Sequence, residues 1–405
     1  MIKRITLVMI FFALYKIGWG QLQPGEIHPD AIKLDMTAYD RLEPFYNGIA
    51  VIRKGTACGA IDAKGNMVIP FNKYYMLSGN ESGYIYAYSN DRKSILLDNK
   101  GKEVLKPYTF HQVSKDGFAE TNESFGGDKI IIELKTGKRI VIPKKFTCGS
   151  NLGKDYKYLN EHPPLFCDGL ILVLDAEKHQ YGYFNKKGEL AIKPSFEYAE
   201  PFSDGLAVVG VRNQFSEMKY GFIDTTGKFH IQPVFSKQPR HFVNNRAYVE
   251  PAKVDSFICA YINKDGEIKH RFKDYPNAPR DFESGYIVFF NSIQRGASVM
   301  IDTNGLQTTI PKSAVFQGKE YHFNSNISIE NGQIRVRGGG IIIPDGFMNL
   351  NRELVLPPLF RELSYFDPVT NLAKAIYRNN KGEDIEGYIN RQGVFVIIKS
   401  PKTNW

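Results

Sequence analysis

The side chains that could bind a metal ion or catalyse a reaction are thinly spread along this 405-residue chain. Its eight histidines include no His-x-x-x-His pair and its four cysteines no Cys-x-x-Cys pair, so neither residue type is spaced as in a zinc site. The sequence also lacks a G-x-S-x-G elbow, a P-loop and a G-x-G-x-x-G motif. We therefore predict no catalytic residue, no metal site and no cofactor, and we expect the protein not to be an enzyme.

Acidic and amide side chains recur at intervals, each three residues before a glycine. A calcium loop needs several oxygen ligands at alternate positions of one short stretch, whereas each of these segments supplies a single Asp or Asn. Side chains of this type open turns by accepting hydrogen bonds from the nearby backbone. We therefore interpret seven of them as turn residues: Asp62, Asp98, Asn185, Asp224, Asn263, Asp302 and Asn390.

The four cysteines form two groups. Cys148 and Cys167 flank an irregular stretch, and the sequence fits either one disulfide bond between them or two buried, inert thiols. Cys58 and Cys259 share one position of the repeat described next. We interpret this second pair as residues that fill the core, because a free cysteine packs like a small apolar side chain.

The turn residues belong to a repeated phrase, of which YGFIDTTGKFHIQP at 220–233 is a clear copy. Its glycine recurs at intervals of 39 residues at Gly188, Gly227, Gly266 and Gly305. Regular spacing of this kind is typical of repeat proteins. The turn glycines predicted from all copies are Gly65, Gly101, Gly137, Gly188, Gly227, Gly266, Gly305 and Gly393, and Arg352 takes the same place in a ninth copy.

Each copy predicts two strands joined by a short turn, with the glycine in the left-handed conformation and a proline ending the second strand. Upstream, DGLAVVGV at 204–211 predicts another strand, apolar on both faces because neighbouring sheets cover it. The stretch after the proline is long enough for a fourth strand. The sequence therefore predicts an all-β tandem array of about eight to nine three- or four-stranded units. A β-propeller fits best, and an open β-solenoid or superhelical β-array is the alternative.

The phrase aromatic-Gly-aromatic-Ile-Asp-x-x-Gly-Lys, preceded by F-x-[DE]-G-L-A-x-V, resembles the WG-repeat family of bacteria. The resemblance covers most of residues 45–397, and 202–235 is its clearest copy. Tyr181 and Tyr220 replace the tryptophan that names the family, and other copies carry Cys, Ser or Glu there. This variation indicates a packing position of variable size. The resemblance implies a binding or scaffold module without known catalysis.

The N-terminus has the pattern of a secretory signal peptide: Lys3 and Arg4, an apolar run, and the small residues Gly18 and Gly20. Cleavage after Gly20 would export the protein to the periplasm, the cell surface or the medium. The apolar run is too short for a bilayer, so we predict no transmembrane helix in the mature chain. The expected organisation is a signal peptide at 1–20, a lead-in at 21–44, the WG-like repeat domain at 45–397 and a tail at 398–405.

Two intervals between turns are longer than the others, around 144–166 and 312–330, and insertions in repeat proteins usually form loops on one face. We predict Tyr156, Tyr158 and His162 of the first insertion as partner contacts. The net charge of +9 is spread diffusely and gives no nucleic-acid footprint. We expect an exported, non-catalytic binding or scaffold module that contacts an envelope protein or glycan through its loops. The alternative is a propeller-type lyase or hydrolase with a composite site across several blades.

Overall fold

The computed structural model describes residues 22–34, 40–79, 83–91, 93–105, 110–114, 116–122, 127–148, 165–250, 259–272, 281–291, 297–324, 327–338 and 344–399. Every regular element within these ranges is a β-strand, which confirms the predicted all-β tandem array. The predicted signal peptide lies outside the described residues, as does the predicted tail apart from its first two positions. The propeller arrangement of the array stays a prediction.

The chain divides into two compact units. The smaller unit comprises 1–73, 313–324 and 335–405, and the larger unit comprises 74–312 and 325–334. The first strands of the smaller unit are β1 Ile27–Leu34, β2 Arg41–Tyr46, β3 Ile49–Lys54, β4 Ala57–Asp62 and β5 Met67–Ile69. Its later strands are β28 Ser313–Phe316, β29 Lys319–His322, β31 Gln333–Arg337 (from residue 335), β32 Asp345–Asn349, β33 Leu354–Leu363, β34 Ala373–Arg378, β35 Asp384–Ile389 and β36 Phe395–Lys399.

The larger unit contains a series of small antiparallel sheets whose strands follow one another in sequence order. Its first three sheets contain β6 Met76–Gly79, β7 Ile85–Tyr88, β8 Ser94–Leu97, β9 Glu103–Leu105, β10 Phe110–Val113, β11 Phe118–Asn122, β12 Lys129–Glu133, β13 Arg139–Ile142, β14 Phe146–Cys148, β15 Leu170–Asp175, β16 Gln180–Asn185 and β17 Leu190–Phe196. The next three contain β18 Tyr198–Ala199, β19 Leu206–Arg212, β20 Met218–Asp224, β21 Phe229–Phe235, β22 Ala247–Val249, β23 Cys259–Ile262, β24 Ile268–Phe272, β25 Tyr286–Asn291, β26 Ala297–Asp302 and β27 Gln307–Thr309. The strand β30 Ser328–Glu330 also falls in this unit.

The predicted turns are present in both units. The eight turn glycines all have φ between 72° and 87°, and Arg352 has φ 68° in the same turn position. In the copy at 224–228, the Asp224 carboxylate accepts hydrogen bonds from the backbone N–H of Thr226 at 2.8 Å and of Lys228 at 3.2 Å. The acidic and amide residues therefore form turns, as their spacing predicted.

The prolines end some outer strands, as expected from the sequence, but lie inside others. Pro70 and Pro143 directly follow β5 and β13, whereas Pro194, Pro233 and Pro357 lie inside β17, β21 and β33. Pro233 lies inside β21, where the pairing with β20 shifts between Tyr220 and Phe222. A Cβ atom on Gly221 would lie 2.6 Å from the carbonyl oxygen of Ile231 and 2.9 Å from the nitrogen of Pro233. The proline therefore occupies a bulge on the outer strand, where its missing N–H breaks no ladder bond, and the bulge folds over the glycine.

Neighbouring sheets of the larger unit pack through aromatic residues that recur once per repeat. Tyr183 of β16 contacts Phe202 with a ring centroid distance of 4.8 Å, and Phe222 of β20 contacts Phe242 at the same distance. The turns before the inner strands are also linked, because the Asp204 carboxylate accepts a hydrogen bond from the Asn245 N–H at 2.7 Å. Asp204 and the following glycine both have positive φ, at 53° and 81°, as a two-residue hairpin turn requires.

The N-terminal strand of the smaller unit joins the C-terminal sheet. β1 pairs with β36 in parallel and is the outer strand of the order β1-β36-β35-β34-β33-β32. Residues 21–44, predicted as a lead-in, thus contain β1 and the start of β2. The second predicted loop insertion, around 312–330, contains the hairpin of β28 and β29 and the strand β30, so it is not a simple loop.

Candidate functional site

The predicted site residues fall in different parts of the chain. Tyr156, Tyr158 and His162 lie outside the described residues, so their role as partner contacts stays a prediction. Neither Cys148 nor Cys167 forms a disulfide bond, and burial raises the pKa of each thiol to about 12. This outcome matches the alternative of two inert thiols. Cys58 is fully buried and fills the core, whereas the side chain of Cys259 lies outside the described part of the structure.

The described residues that best fit a functional site surround Glu200 in the larger unit. Glu200 follows β18, and the sequence Glu-Pro-Phe at 200–202 ties its backbone to the preceding repeat. The Tyr183 hydroxyl donates a hydrogen bond to the carbonyl oxygen of Glu200 at 2.7 Å, and the ring of Phe202 packs on the ring of Tyr183. Because two contacts hold this backbone, the Glu200 side chain projects from a fixed point.

The Glu200 carboxyl is buried and has no cationic partner among the described residues. Glu200 as a whole residue is 9% exposed to solvent. The Tyr198 hydroxyl donates to Oε1 at 2.7 Å and the Gln238 amide donates to the same oxygen at 2.6 Å. No donor within the described ranges lies within hydrogen-bond distance of Oε2. Burial raises the pKa of this carboxyl, because removal from water disfavours the charged form.

A second Glu-Pro-Phe sequence, at 43–45 of the smaller unit, has a glutamate in the same position with a cationic partner. Glu43 also accepts a tyrosine hydroxyl at its carbonyl oxygen, from Tyr388 at 2.7 Å. Its carboxylate, however, forms an ion pair with Arg53, whose Nε lies 2.7 Å from Oε1. The two repeats therefore share the backbone arrangement and differ in the treatment of the carboxyl group.

The missing partner of Glu200 is explained by one substitution between the repeats. Aligning the two Glu-Pro-Phe sequences places Gly210 where the other copy has Arg53. A Cβ atom on Gly210 would lie 2.9 Å from Cβ of Tyr198 and 3.2 Å from Cε1 of Tyr220, so the two tyrosines fill the space next to this glycine. This repeat thus has no guanidinium group next to the glutamate and has two aromatic rings, which meet edge to face at 5.6 Å.

The rim of the site carries further polar groups from two later repeats. Gln238 is exposed and lies over the Glu200 carboxyl. His241 and Asp281 are close enough for their charges to act on Glu200, His241 lowering and Asp281 raising its pKa. Asp281 also lies 3.5 Å from Arg240 and 3.7 Å from His241, so it balances the charge of these neighbours. We call Tyr198, Glu200, Gln238, Arg240, His241 and Asp281 the Glu200 site.

Two other groups of buried charged side chains in the described ranges form ion pairs within the protein. Lys129 lies 2.5 Å from the Glu120 carboxylate, and Arg335 donates to Asp345 at 2.9 Å and to the carbonyl oxygen of Leu363 at 2.7 Å. Such pairs need no external ligand, because each charge already has its counter-charge. The buried carboxylates of Asp175 and Asp367 accept hydrogen bonds from backbone N–H groups, whereas among the described residues the Glu200 carboxyl accepts them only from the side chains of Tyr198 and Gln238. In the part of the chain that the structure describes, no group of three or more His, Cys, Asp or Glu could hold a metal ion.

No local pattern of residues indicates this site directly. Glu200, Gln238 and Asp281 come from three successive repeats, and none belongs to a local motif. A signal was nevertheless present, because aligning 43–53 with 200–210 exposes the change from Arg53 to Gly210.

The described residues also include no helix with the length and hydropathy needed to cross a membrane.

Solved structures that resemble this chain do so at low similarity. Dipeptidyl peptidase 4 of Porphyromonas gingivalis is 8% identical with a TM-score of 0.42, over 91% of this chain and 67% of that one. The dihydro-heme d1 dehydrogenase NirN is 13% identical with a TM-score of 0.35, over 84% and 81%. PorZ of P. gingivalis, a surface component of the type-IX secretion system, is 9% identical with a TM-score of 0.27, over 92% and 53%. These scores are too low to carry an argument about function.

The match to a family model is local and falls on the candidate site. No curated protein matches the chain. The model of the WG containing repeat matches residues 181–214 and 220–250, which include every member of the Glu200 site except Asp281. Residues 181–214 and 220–250 are therefore two copies of the WG containing repeat, which confirms the resemblance stated from the sequence.

Proposed function

We propose that this protein is an exported, non-catalytic binding or scaffold module that contacts an envelope protein or glycan, with the Glu200 site as a contact surface. The observation that carries the proposal is the buried Glu200 carboxyl, which accepts hydrogen bonds from Tyr198 and Gln238 and forms no ion pair with the described residues. Burying a carboxyl in this way costs free energy, and the repeat at 43–53 shows that the fold can avoid the cost with one arginine. A role in binding explains why the costly version is present.

The surroundings of the carboxyl also support binding. Tyr198 and Tyr220 provide aromatic contact area, and Gln238, Arg240 and His241 provide hydrogen-bonding groups at half-buried or exposed positions. Binding sites commonly combine a few fixed polar groups with aromatic side chains. The repeat scaffold holds these groups on sheets, so little ordering is needed when a partner binds.

The experiment is capture of partners from a cell-envelope extract by immobilised residues 21–405. We compare the wild-type chain with Glu200→Gln and with the matched control Glu43→Gln. We expect Glu200→Gln to lose most of the captured material and Glu43→Gln to retain it. Equal capture by the two variants would contradict a role of the Glu200 site, provided that both show the wild-type circular dichroism spectrum.

A further variant tests the insertion predicted from the sequence. Removal of residues 150–162 deletes Tyr156, Tyr158 and His162, and shortening an exposed loop changes closure entropy only slowly with length. If this insertion contacts the partner, capture falls while the melting curve is unchanged. Unchanged capture would mean that the insertion takes no part in binding.

The alternative function is a lyase or hydrolase with a composite site, and one observation favours it. The Glu200 carboxyl has a raised pKa and lies near the pair of His241 and Asp281, as a general acid could. Mass spectrometry of the captured material distinguishes the two functions. Recovery of a cleaved ligand from the wild-type chain, and of the intact ligand from Glu200→Gln, would favour the enzyme.

A further inference from the structure

We propose that the Glu200 site binds a cationic group of its partner, a guanidinium or ammonium group carried by a basic peptide segment. The inference rests on the proposed binding function and names the chemistry that the site recognises. It follows from a comparison of two repeats that share a backbone arrangement and differ at one partner position.

The position that carries an arginine in one repeat carries no charge in the other. In the smaller unit, Arg53 supplies the guanidinium that neutralises the carboxylate of Glu43. In the larger unit, Gly210 takes the place of the arginine and supplies no charge to Glu200. A buried carboxyl of this type is stabilised most by a positive group that forms a charge-assisted hydrogen bond with it. An incoming cation would complete the pair that the other repeat forms within its own chain.

One exposed side chain covers the Glu200 carboxyl, and charged side chains lie at the rim of the site. Both internal hydrogen bonds reach Oε1, which leaves Oε2 for an external donor. The side chain that covers the carboxyl belongs to the exposed Gln238, so it can swing away without disturbing the core. At the rim, Asp281 forms an ion pair with Arg240 at 3.5 Å and lies 3.7 Å from His241. The Glu200 carboxyl itself forms no ion pair with the described residues.

Two aromatic rings lie beside Gly210 and the carboxyl. Tyr198 and Tyr220 meet edge to face, and the Tyr198 hydroxyl is fixed on the carboxyl oxygen. Aromatic faces attract ammonium and guanidinium groups, with Arg the more frequent partner. A carboxylate beside two tyrosines thus favours a cation over an anionic ligand and over a neutral hydroxyl group.

The test measures the binding of a tetra-arginine peptide amide to residues 21–405 by isothermal titration calorimetry. The matched probe is a tetra-citrulline peptide amide, which keeps the shape of arginine and lacks its charge. We expect the arginine peptide to bind, Glu200→Gln to weaken its Kd at least tenfold, and Glu43→Gln to change it less than twofold. We expect no measurable binding of the citrulline peptide.

Two results would overturn the inference: equal binding of both peptides, or an unchanged Kd in Glu200→Gln. If Glu200→Gln does not fold, Gln238→Arg is the second variant, because the exposed side chain at 238 already contacts the carboxyl and an arginine there should compete with the peptide and weaken its Kd at least threefold. An unchanged Kd in a folded Gln238→Arg chain would also contradict the inference.

The two proposals fail separately. Loss of envelope capture in Glu200→Gln without any binding of tetra-arginine would retain the binding function and reject the cation. Binding of tetra-arginine that depends on Glu200, together with unchanged envelope capture, would retain the cation site and reject its role in capturing the envelope partner.

Discussion

At the residue scale, burial of the Glu200 carboxyl costs free energy, because removal from water disfavours its charged form. Its raised pKa is caused first by burial, and the hydrogen bonds from Tyr198 and Gln238 and the charge of His241 act in the opposite direction. Asp281 adds to the increase. The carboxyl therefore binds its proton more tightly in the folded chain than in the unfolded chain.

This difference predicts a pH dependence of stability. The proton-linked stabilisation is complete below the unfolded pKa of about 4.5 and is lost as the pH rises through the higher folded pKa. Glu200→Gln removes this loss. We therefore expect the urea midpoint of the wild-type chain to fall relative to that of Glu200→Gln between pH 4 and pH 8. A difference that is constant over this range would show that the carboxyl is not strained by burial.

The cysteines predict a second residue-scale result. Cys58 and Cys148 are fully buried, and burial keeps the thiols of Cys148 and Cys167 protonated at neutral pH. We expect these three thiols to resist a maleimide reagent at pH 7.5 until urea unfolds the chain. Peptide mapping checks this result, and a peptide in which Cys148 is bridged to Cys167 would contradict it.

At the element scale, the repeat depends on one close approach between strands. The outer strand bulges at its proline and folds over the glycine of the neighbouring strand, as at Pro233 and Gly221. Gly221→Ala places a methyl group against backbone atoms, so we expect a loss of about 1–3 kcal/mol in the free energy of unfolding. Urea denaturation measures the loss, and a change below about 0.5 kcal/mol would mean that the bulge adapts easily.

In the hairpin turns, by contrast, one substitution is expected to raise the free energy of unfolding. Arg352 adopts φ 68° where the other copies have glycine, and a residue with a Cβ atom is strained there by about 1–2 kcal/mol. Arg352→Gly should therefore raise the free energy of unfolding by about 1 kcal/mol, whereas Gly227→Val should lower it by about 1–2 kcal/mol or more. The same denaturation series tests both, and destabilisation by Arg352→Gly would show that its side chain contributes more than its strain costs.

At the scale of the whole molecule, the strands and turns were predictable because each is specified by a few adjacent residues. Asp224 and Gly227 define their turn locally, and the 39-residue spacing defines the array. The bulges at the prolines were missed because a proline that ends a strand and one that occupies a bulge have the same local sequence. The strand β1 was missed because its partner, β36, lies at the other end of the chain.

The Glu200 site could not be predicted locally for a related reason. Its members come from positions 198–200, 238–241 and 281, and only the folded array brings them together. The informative feature was the absence of an arginine at Gly210, which is visible only by comparison with Arg53 of another repeat. Residues that recur in every copy identify the scaffold, and residues that differ between copies identify the candidate site.

Hydrogen–deuterium exchange of residues 21–405, with and without the partner captured from the envelope extract, tests the central claim that the Glu200 site is the contact surface. We expect slower exchange on binding at 198–203 and 237–249, and no change at 41–46, the equivalent segment of the other Glu-Pro-Phe repeat. Unchanged exchange at 198–203 in a chain that has bound its partner, or equal protection of 41–46, would contradict the claim.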